Sequence, residues 1–282
     1  MYNNAFYIKP TFDRFRQNIT ILVPYRNRTE NLLYFLYCLH SHLYQTGKNF
    51  KIILLEQSQK NLFKRGNLFN AGVMEVMKSS YRTNCFCLHD IDKVPMSKIT
   101  DYSCRNDAIT QLVSGVKYQH TEDVTLYLNE YLGGVTMVHR DAYLRMNGLS
   151  NVFEGWGGED DNFYQRALIN KIPVYRYWYL IFHRLTHHRD RIPDENRFNK
   201  IERNYVLNTY HKDGLFQVKY EKLFYIKNVH RLFDHMLLEG TLIRELIAST
   251  IVVGIRPMVI VVGTVQRGMV GEECHAKQAT PL

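Results

Sequence analysis

The alternation of short apolar segments with amphipathic segments in the first hundred residues constrains the fold of this chain most. Apolar, β-branched residues from Ile19 to Val23 predict a buried strand, and a helix is predicted from Thr29 to about His42. Further strands are predicted from Ile52 to Leu55 and from Cys85 to Leu88, with a helix from about Leu68 to Met77 between them. Because this order is typical of a parallel sheet with crossover helices, we predict an α/β fold.

The middle of the chain has a less regular pattern. Residues 101–130 predict loops with one short strand, and the segment from Tyr131 to Val138 predicts a loop that leads into another strand. Helices are predicted from Arg140 to Met146 and, after a glycine-rich turn, from Glu159 onward.

The charge and the apolar segments narrow the choice of partners. The chain of 282 residues has 36 Lys and Arg against 27 Asp and Glu, a formal net charge of +9, which favours nucleotide phosphates, acidic glycans or membrane surfaces. We expect no nucleic-acid partner, because no basic block is interleaved with aromatics.

Residues 1–10 lack the pattern of a signal peptide, and Arg256 and Pro257 split the apolar stretch from Leu242 to Val265. We therefore expect no membrane anchor in this chain.

Charged residues follow two of the predicted strands. Arg26 and Arg28 follow the first strand, and Asp90 and Asp92 follow the third. The carboxyl ends of parallel strands meet at one edge of a sheet, where ligands bind. Arginine forks suit phosphates and a carboxylate at Asp92 suits Mn²⁺ or Mg²⁺, so this edge is suited to a nucleotide diphosphate with a metal ion. An Asp-x-Asp sequence is common, however, and a solvated turn is the alternative.

The segment from Gly155 to Asp161 is the most informative in the chain. Its three adjacent acids repel one another unless a function or a helix N-terminus offsets the repulsion. Its glycines permit close approach of the backbone, and Trp156 offers an aromatic face of the kind that packs against sugar rings. The alternative, that the acids only charge the start of a helix, explains Glu159 and Asp161 but not a tryptophan between glycines.

A cluster of histidines lies further along the chain. His183, His187 and His188 fall within six residues, and Asp190 follows them. An imidazole from this cluster could complete a metal site begun by Asp92. Structural or exposed histidines are the alternative.

Five segments resemble motifs of the β-1,4-galactosyltransferase family and occur in the family's order, between about Ile19 and Tyr220. Five motifs in the right order are far more specific than any one of them. Ile21–Arg28 resembles the donor-binding opening motif, and Phe63–Gly72 resembles the F-N-R-A-x-L-x-N-x-G segment. His89–Asp92 resembles the D-V-D metal motif, Tyr131–Gly134 the Y-F-G-G motif, and Gly155–Asp161 the W-G-W-G-G-E-D-D motif.

The resemblance implies a GT-A fold with a mostly parallel Rossmann-like sheet, a Mn²⁺ cofactor, and transfer of galactose from UDP-galactose to a saccharide hydroxyl with inversion. It implies that Asp160 is the base and Glu159 a second catalytic residue. It implies that Asp92 and His187 bind the metal, with His183 as a further candidate. It also implies that the donor is contacted by Pro24, Tyr25, Arg26, Arg28, Phe63, Arg65, Asp90, Ile91 and Trp156. The residues that it implies for the acceptor are Tyr131, Gly134, Gly158 and Asp161.

The family pattern also implies a compartment and a domain organisation. Cys85 and Cys104 fall on a family disulfide pair, so we predict that bond and a location in the Golgi lumen. We expect a GT-A catalytic domain over residues 19–240, an N-terminal extension over residues 1–18, and a tail over residues 241–282 that is partly apolar and then disordered.

Two residues depart from the family pattern, and the acceptor stays open. Glu154 stands where the family has the first Trp of its W-G-W, and Arg184 aligns with a third metal ligand. A catalytically inactive relative that binds UDP or sugar is therefore the alternative. A nucleotidyltransferase predicts a lysine-rich or glycine-rich phosphate loop after the first strand, which the sequence lacks. The segment from Tyr25 to Leu33 resembles the branch that modifies xylose in the proteoglycan linker, whereas Gly158 resembles the N-acetylglucosamine branch.

Overall fold

A computed structural model describes residues 17–58, 61–118, 121–127, 131–186, 195–229 and 233–239. The predictions for His187, His188, Asp190 and the tail over residues 241–282 lie outside these ranges, as does the predicted N-terminal extension over residues 1–18 apart from its last two residues. Within them the helices are α1 (Thr29–Gln45), α2 (Arg65–Lys78), α3 (Arg140–Arg145), α4 (Glu159–Ile169) and α5 (Arg197–Val206). The strands are β1 (Asn18–Tyr25), β2 (Asn49–Gln57), β3 (Cys85–His89), β4 (Lys93–Pro95), β5 (Ile109–Gln111), β6 (Gly115–Tyr118), β7 (Val124–Leu126), β8 (Val135–His139), β9 (Val174–Arg176), β10 (Ile181–Arg184), β11 (Glu221–Val229) and β12 (Phe233–Glu239).

The larger sheet has the strand order β11-β12-β2-β1-β3-β8-β5-β9. β1 pairs in parallel with both β2 and β3, with Ile21 opposite Ile52 on one side and Cys87 on the other. β12 also runs parallel to β2, whereas β8 is antiparallel to β3. The α/β fold predicted from the alternation of strands and helices is confirmed.

The first strand is buried on both faces of this sheet. Ile21 and Val23 pack with Phe35 of α1 in one buried cluster, whereas Leu22 packs with Phe69 of α2 in another. A strand that is covered by helices on both faces is buried at successive positions and therefore consists mostly of apolar residues; the buried Thr20 donates a hydrogen bond to Thr83 Oγ1 at 3.0 Å. Burial on both faces explains why the sequence shows a mostly apolar run here and no alternation with polar residues.

The prediction of one short strand in residues 101–130 is wrong. The segment contributes β5 to the larger sheet, and β6 and β7 to a smaller sheet with the order β4-β10-β6-β7. Each of these strands has only three or four residues, which is too short for a clear alternation of polar and apolar residues. The smaller sheet bears on the site because β4 begins directly after Asp92.

The disulfide predicted from the family pattern is confirmed. Cys85 and Cys104 are bonded, with their Cα atoms 5.6 Å apart, and both are buried. The bond attaches the start of β3 to the segment before β5, and β3 ends directly before Asp90. It therefore restrains the strand that carries the acidic motif. Among the described residues, each helix is too short or too polar to cross a bilayer.

Candidate active site

The centre of the site is Arg65, the first residue of α2. Its Nε donates a hydrogen bond to Asp90 Oδ1 at 2.8 Å, and its Nη1 donates one to Asp160 Oδ1 at 2.6 Å. The same Nη1 lies 3.6 Å from Glu159 Oε1. One guanidinium thus contacts three carboxylates from two separate segments, Asp90 after β3 and the pair at the start of α4.

The acids of the Gly155–Asp161 segment occupy the first turn of α4. Gly158 precedes them with φ +95°, a left-handed conformation that other residues rarely adopt. A Cβ at this position would also lie 2.7 Å from the ring of Phe153. The turn therefore requires glycine, and the helix dipole offsets part of the repulsion among the acids.

The loop between Tyr131 and Gly134 connects the two acidic segments. Asp160 accepts a hydrogen bond at its backbone oxygen from Leu132 N at 3.2 Å, and Asp90 N donates to Gly134 O at 2.7 Å. A Cβ at Gly133 would collide with the Asp160 carboxylate. The small residues of this loop thus allow the Asp160 side chain to reach Arg65.

Burial and like charges act on the acids in the same direction. Burial raises the pKa of Asp160 well above its usual range; Arg65 opposes the shift, and Glu159 and Asp90 add to it. Burial raises the pKa of Glu159 as well, again against the effect of Arg65. Burial alone would lower the pKa of Arg65, yet the three carboxylates raise it. Arg65 is therefore a permanent cation among acids that bind protons more readily than usual.

A second group of predicted donor residues lies at the end of β1. Arg26 Nη1 donates to the backbone oxygen of Asn61 at 2.7 Å, and its guanidinium lies 5.2 Å from the centre of the Phe63 ring. Phe63 O in turn accepts a hydrogen bond from Gly155 N at 2.9 Å. The structure therefore brings Arg26 and Phe63 together and links them to the segment that contains Trp156.

The other predicted donor and acceptor residues are more dispersed. Pro24 and the buried Tyr25 end β1, Arg28 precedes α1, and Ile91 is buried in the core. Trp156 is half exposed, with the guanidinium of Arg197 5.8 Å from its ring. On the acceptor side, Tyr131 packs edge-on against Tyr127, and its backbone oxygen accepts a hydrogen bond from Arg176 at 2.7 Å. Asp161 follows Asp160 in the first turn of α4.

The predicted metal ligand Asp92 already contacts two cations. Lys93 Nζ lies 2.7 Å from Asp92 Oδ1, and Arg184 Nε lies 3.7 Å from Asp92 Oδ2. His183 precedes Arg184 on β10, so its side chain projects from the opposite face of the strand. Among the described residues no three His, Cys, Asp or Glu side chains form a group that could hold a metal. The metal roles of Asp92, His183 and His187 stay predictions.

Lys93 is a residue of the site that the sequence pattern did not predict. Neighbouring side chains of a strand point to opposite faces, and that rule would separate Lys93 from Asp92. Here a turn intervenes, since Lys93 N donates to Asp90 O at 3.2 Å. The sequence does place a lysine directly after the Asp-x-Asp motif, but the contact of this lysine with Asp92 depends on the turn and cannot be predicted from the order of the residues alone.

A buried histidine before the acidic motif makes stability depend on pH. His89 Nδ1 lies 2.9 Å from Asp90 O and so donates to it, which leaves Nε2 to accept from the Tyr102 hydroxyl at 3.0 Å. Burial lowers the pKa of His89 to about 4. The neutral ring stabilises the fold fully above the unfolded pKa of about 6.5, and this contribution is lost as the pH falls toward 4.

We expect the protonation of His89 in the unfolded chain to lower the unfolding free energy by about 2 kcal/mol when the pH falls from 7 to 5. His89→Asn retains a donor and an acceptor without a titrating group. Urea unfolding at both pH values should give a pH-dependent loss that is smaller in the variant by that amount. Equal losses in the two proteins would contradict the buried neutral ring.

The fold and the site together define the class of the protein. A central, mostly parallel sheet carries an acidic motif after β3, and arginine and carboxylate side chains from the starts of α2 and α4 converge on it, as in GT-A-type glycosyltransferases. Residues 3–105 match the model for the N-terminal region of glycosyl transferase group 7, and residues 117–191 match that for the N-terminal domain of galactosyltransferase. The chain belongs to glycosyltransferase family 7, as the motifs predicted.

Curated relatives agree with this assignment. The chain is 36% identical over 160 residues to β-1,4-galactosyltransferase 4 of Mus musculus, a match that covers 57% of this chain and 45% of the relative. It is 32% identical over 206 residues to β-1,4-galactosyltransferase 1 of Bos taurus, which covers 72% of this chain and 50% of the relative. The chain thus spans about half the length of these relatives.

A solved structure confirms the fold. The catalytic domain of Drosophila β1,4-galactosyltransferase 7 in complex with xylobiose has a TM-score of 0.68 and 24% identity, over 80% of this chain and 95% of that domain. A mutant of the same Drosophila protein, in complex with manganese, UDP-Gal and xylobiose, has the same TM-score and 23% identity. The predicted GT-A fold is therefore confirmed.

Proposed function

We propose that this chain transfers galactose from UDP-galactose to a saccharide hydroxyl, with inversion at the anomeric carbon and a β-1,4 linkage. The observation that carries the proposal is the contact of Arg65 with both Asp90 and Asp160, because it joins three segments that resemble family motifs. Membership of family 7 and the names of the curated relatives support galactose as the transferred sugar.

In this proposal Asp160 is the base. Its carboxylate takes the proton of the acceptor hydroxyl while the acceptor oxygen forms a bond to the anomeric carbon of galactose. The bond between that carbon and the UDP oxygen breaks, and UDP leaves with the bonding electrons. Burial raises the pKa of Asp160, which makes its carboxylate a stronger base. Glu159, in the same helical turn, is proposed to hold the donor sugar.

Cationic side chains are proposed to stabilise the departing UDP. Arg26, directly after β1, and Arg65, at the start of α2, supply guanidinium groups that suit the oxygens of a diphosphate. Asp92 fits a role as a Mn²⁺ ligand, since a carboxylate oxygen is the hard ligand that this ion prefers, and His187 is proposed as the second ligand. When bound, Mn²⁺ would supply further positive charge to the leaving group.

The acceptor and the compartment are also proposals. Tyr131, Gly134, Gly158 and Asp161 are proposed to contact the acceptor, whose terminal sugar is xylose of the proteoglycan linker or N-acetylglucosamine. The Drosophila structures hold xylobiose, which supports including xylosides in any test. The buried disulfide supports an oxidising compartment, and the family membership supports the Golgi lumen.

The test is to incubate the chain with UDP-galactose, MnCl₂ and a panel of xylosides and N-acetylglucosaminides, and to identify products by mass spectrometry. We expect a galactosylated product from at least one class. The second candidate is an inactive relative that binds UDP. It is favoured by the ion pair of Glu154 with Lys64, 3.3 Å apart, where the family has a tryptophan. Retained UDP binding with every acceptor unmodified would establish this second candidate.

A further inference from the structure

We infer that Lys93 and Arg184 form a built-in counter-charge on Asp92, and that a divalent cation must compete with them for this carboxylate. The inference rests on the proposed function in one respect, that Asp92 is taken as the cation ligand. It concerns the residues that set the cation affinity of this chain.

Both oxygens of the Asp92 carboxylate face a basic side chain. Lys93 Nζ is 2.7 Å from Oδ1 and Arg184 Nε is 3.7 Å from Oδ2. The side chains of Asp92, Lys93 and Arg184 are only 11%, 6% and 16% exposed. Because water and salt screen buried charges weakly, the two cations act strongly on this carboxylate.

The pairing of β4 with β10 brings the two basic residues to the same point. The strands are antiparallel, and their register places Arg184 directly opposite Lys93. Leu185 N also donates to Asp92 O at 2.9 Å, which fixes the Asp92 backbone beside β10. Arg184 is held from the other side, since its Nη1 donates to the Tyr118 hydroxyl at 2.9 Å. The arrangement is therefore built by the smaller sheet.

A divalent cation on Asp92 would meet these two positive charges at close range. Like charges repel, so either an ammonium or guanidinium group withdraws or the cation binds more weakly. Lys93 has a flexible stem and can withdraw, whereas Arg184 is restrained by Tyr118. The single negative charge of Asp92 thus faces two positive charges before any metal arrives, and removal of either basic side chain should strengthen binding of a divalent cation.

The test is a titration of the protein with MnCl₂ alone, in which the free ion is followed by electron paramagnetic resonance. We expect Lys93→Met, which keeps the length of the stem, and Arg184→Met each to lower the Kd for Mn²⁺ by at least about tenfold, equal to about 1.4 kcal/mol. Asp92→Asn should abolish the binding that these variants gain. Circular dichroism melts check that each variant folds. If one of the two methionine variants does not fold, the other still tests the inference.

The matched control is Lys48→Met. Lys48 also forms an ion pair, with Asp101 at 2.7 Å, and its side chain is only 10% exposed, but it precedes β2 and so lies at the opposite end of the parallel strands from Asp92. Removal of this charge should leave the Kd for Mn²⁺ within about twofold of the parent, which separates a local effect from a change in net charge.

The outcomes separate this inference from the proposed function. Tighter binding in either folded variant supports the inference, whether or not any sugar is transferred. The inference would be overturned if neither variant bound Mn²⁺ more tightly than the parent. This includes the case in which neither the parent nor the variants bind Mn²⁺. Galactose transfer with unchanged Mn²⁺ affinities would overturn the inference alone, whereas tighter binding without transfer would overturn the proposed function alone.

Discussion

Asp160→Asn is expected to lower kcat for galactose transfer by about 10²- to 10⁴-fold, the range that a positioned general base contributes. The amide cannot take a proton from the acceptor hydroxyl at working pH. Its oxygen can still accept the hydrogen bond that Arg65 Nη1 donates to the carboxylate at 2.6 Å. The substitution therefore removes the base while it retains the geometry around Arg65.

Donor binding should respond differently. Because the phosphates are proposed to contact arginines and not Asp160, we expect the Kd for UDP to change by less than about threefold, well under the effect on turnover. Calorimetry with UDP and initial rates with UDP-galactose measure the two quantities separately.

The control for this experiment is Asp141→Asn. Asp141 also lies in the first turn of a helix, but it is exposed on α3 and away from Arg65. Its replacement should leave kcat and the Kd for UDP unchanged. A turnover in Asp160→Asn equal to that of the parent would remove Asp160 from the mechanism, and a parallel loss of UDP affinity would make it a donor-binding residue.

The sequence predicted those features that depend on local pattern. The mostly apolar, β-branched run from Ile19 to Val23 predicted a buried strand because the positions of a strand covered on both faces are mostly apolar. The glycines and acids of Gly155–Asp161 predicted a helix start with functional carboxylates, and the structure has α4 begin at Glu159. In both cases neighbours in the chain supply the physical constraint, so the pattern is visible without tertiary contacts.

Features that arise from pairing between distant segments were not predictable in this way. Arg65 meets Asp90 and Asp160 across 25 and 95 residues of sequence. The family resemblance had given Arg65 a role toward the phosphate, but only the fold shows it among three carboxylates. Arg184 likewise reaches Asp92 because β10 pairs with β4. β12 joins β2 in the central sheet, although its sequence shows no link to that strand.

Arg65→Met is expected to lower the unfolding free energy at pH 7 by about 3 to 5 kcal/mol, the cost of removing one partner of a buried ion pair. Arg65 is 12% exposed and contacts Asp90, Asp160 and Glu159, so its removal leaves three acids without their shared cation. Methionine keeps an apolar stem that can still pack on Phe69, whose ring lies 4.9 Å from the guanidinium. The loss therefore reports mainly on charge.

The size of this loss should depend on pH. Burial already raises the pKa values of Asp160 and Glu159 against the opposing effect of Arg65, and without the arginine these values rise further. A carboxyl with a pKa higher in the folded than in the unfolded state favours folding at low pH, and this contribution is lost as the pH rises. The deficit of Arg65→Met relative to the parent should accordingly be smaller at pH 5 than at pH 7.

Urea unfolding of both proteins at pH 5 and pH 7 measures this difference, with Arg145→Met as the matched control. Arg145 forms an exposed pair with Asp107 at 2.6 Å, and loss of an exposed pair costs at most about 1 kcal/mol. If Arg65→Met cost no more than Arg145→Met, the acids around Arg65 would have to be protonated or hydrated in the folded parent. A single cation could then not be what allows three carboxylates to share one buried site.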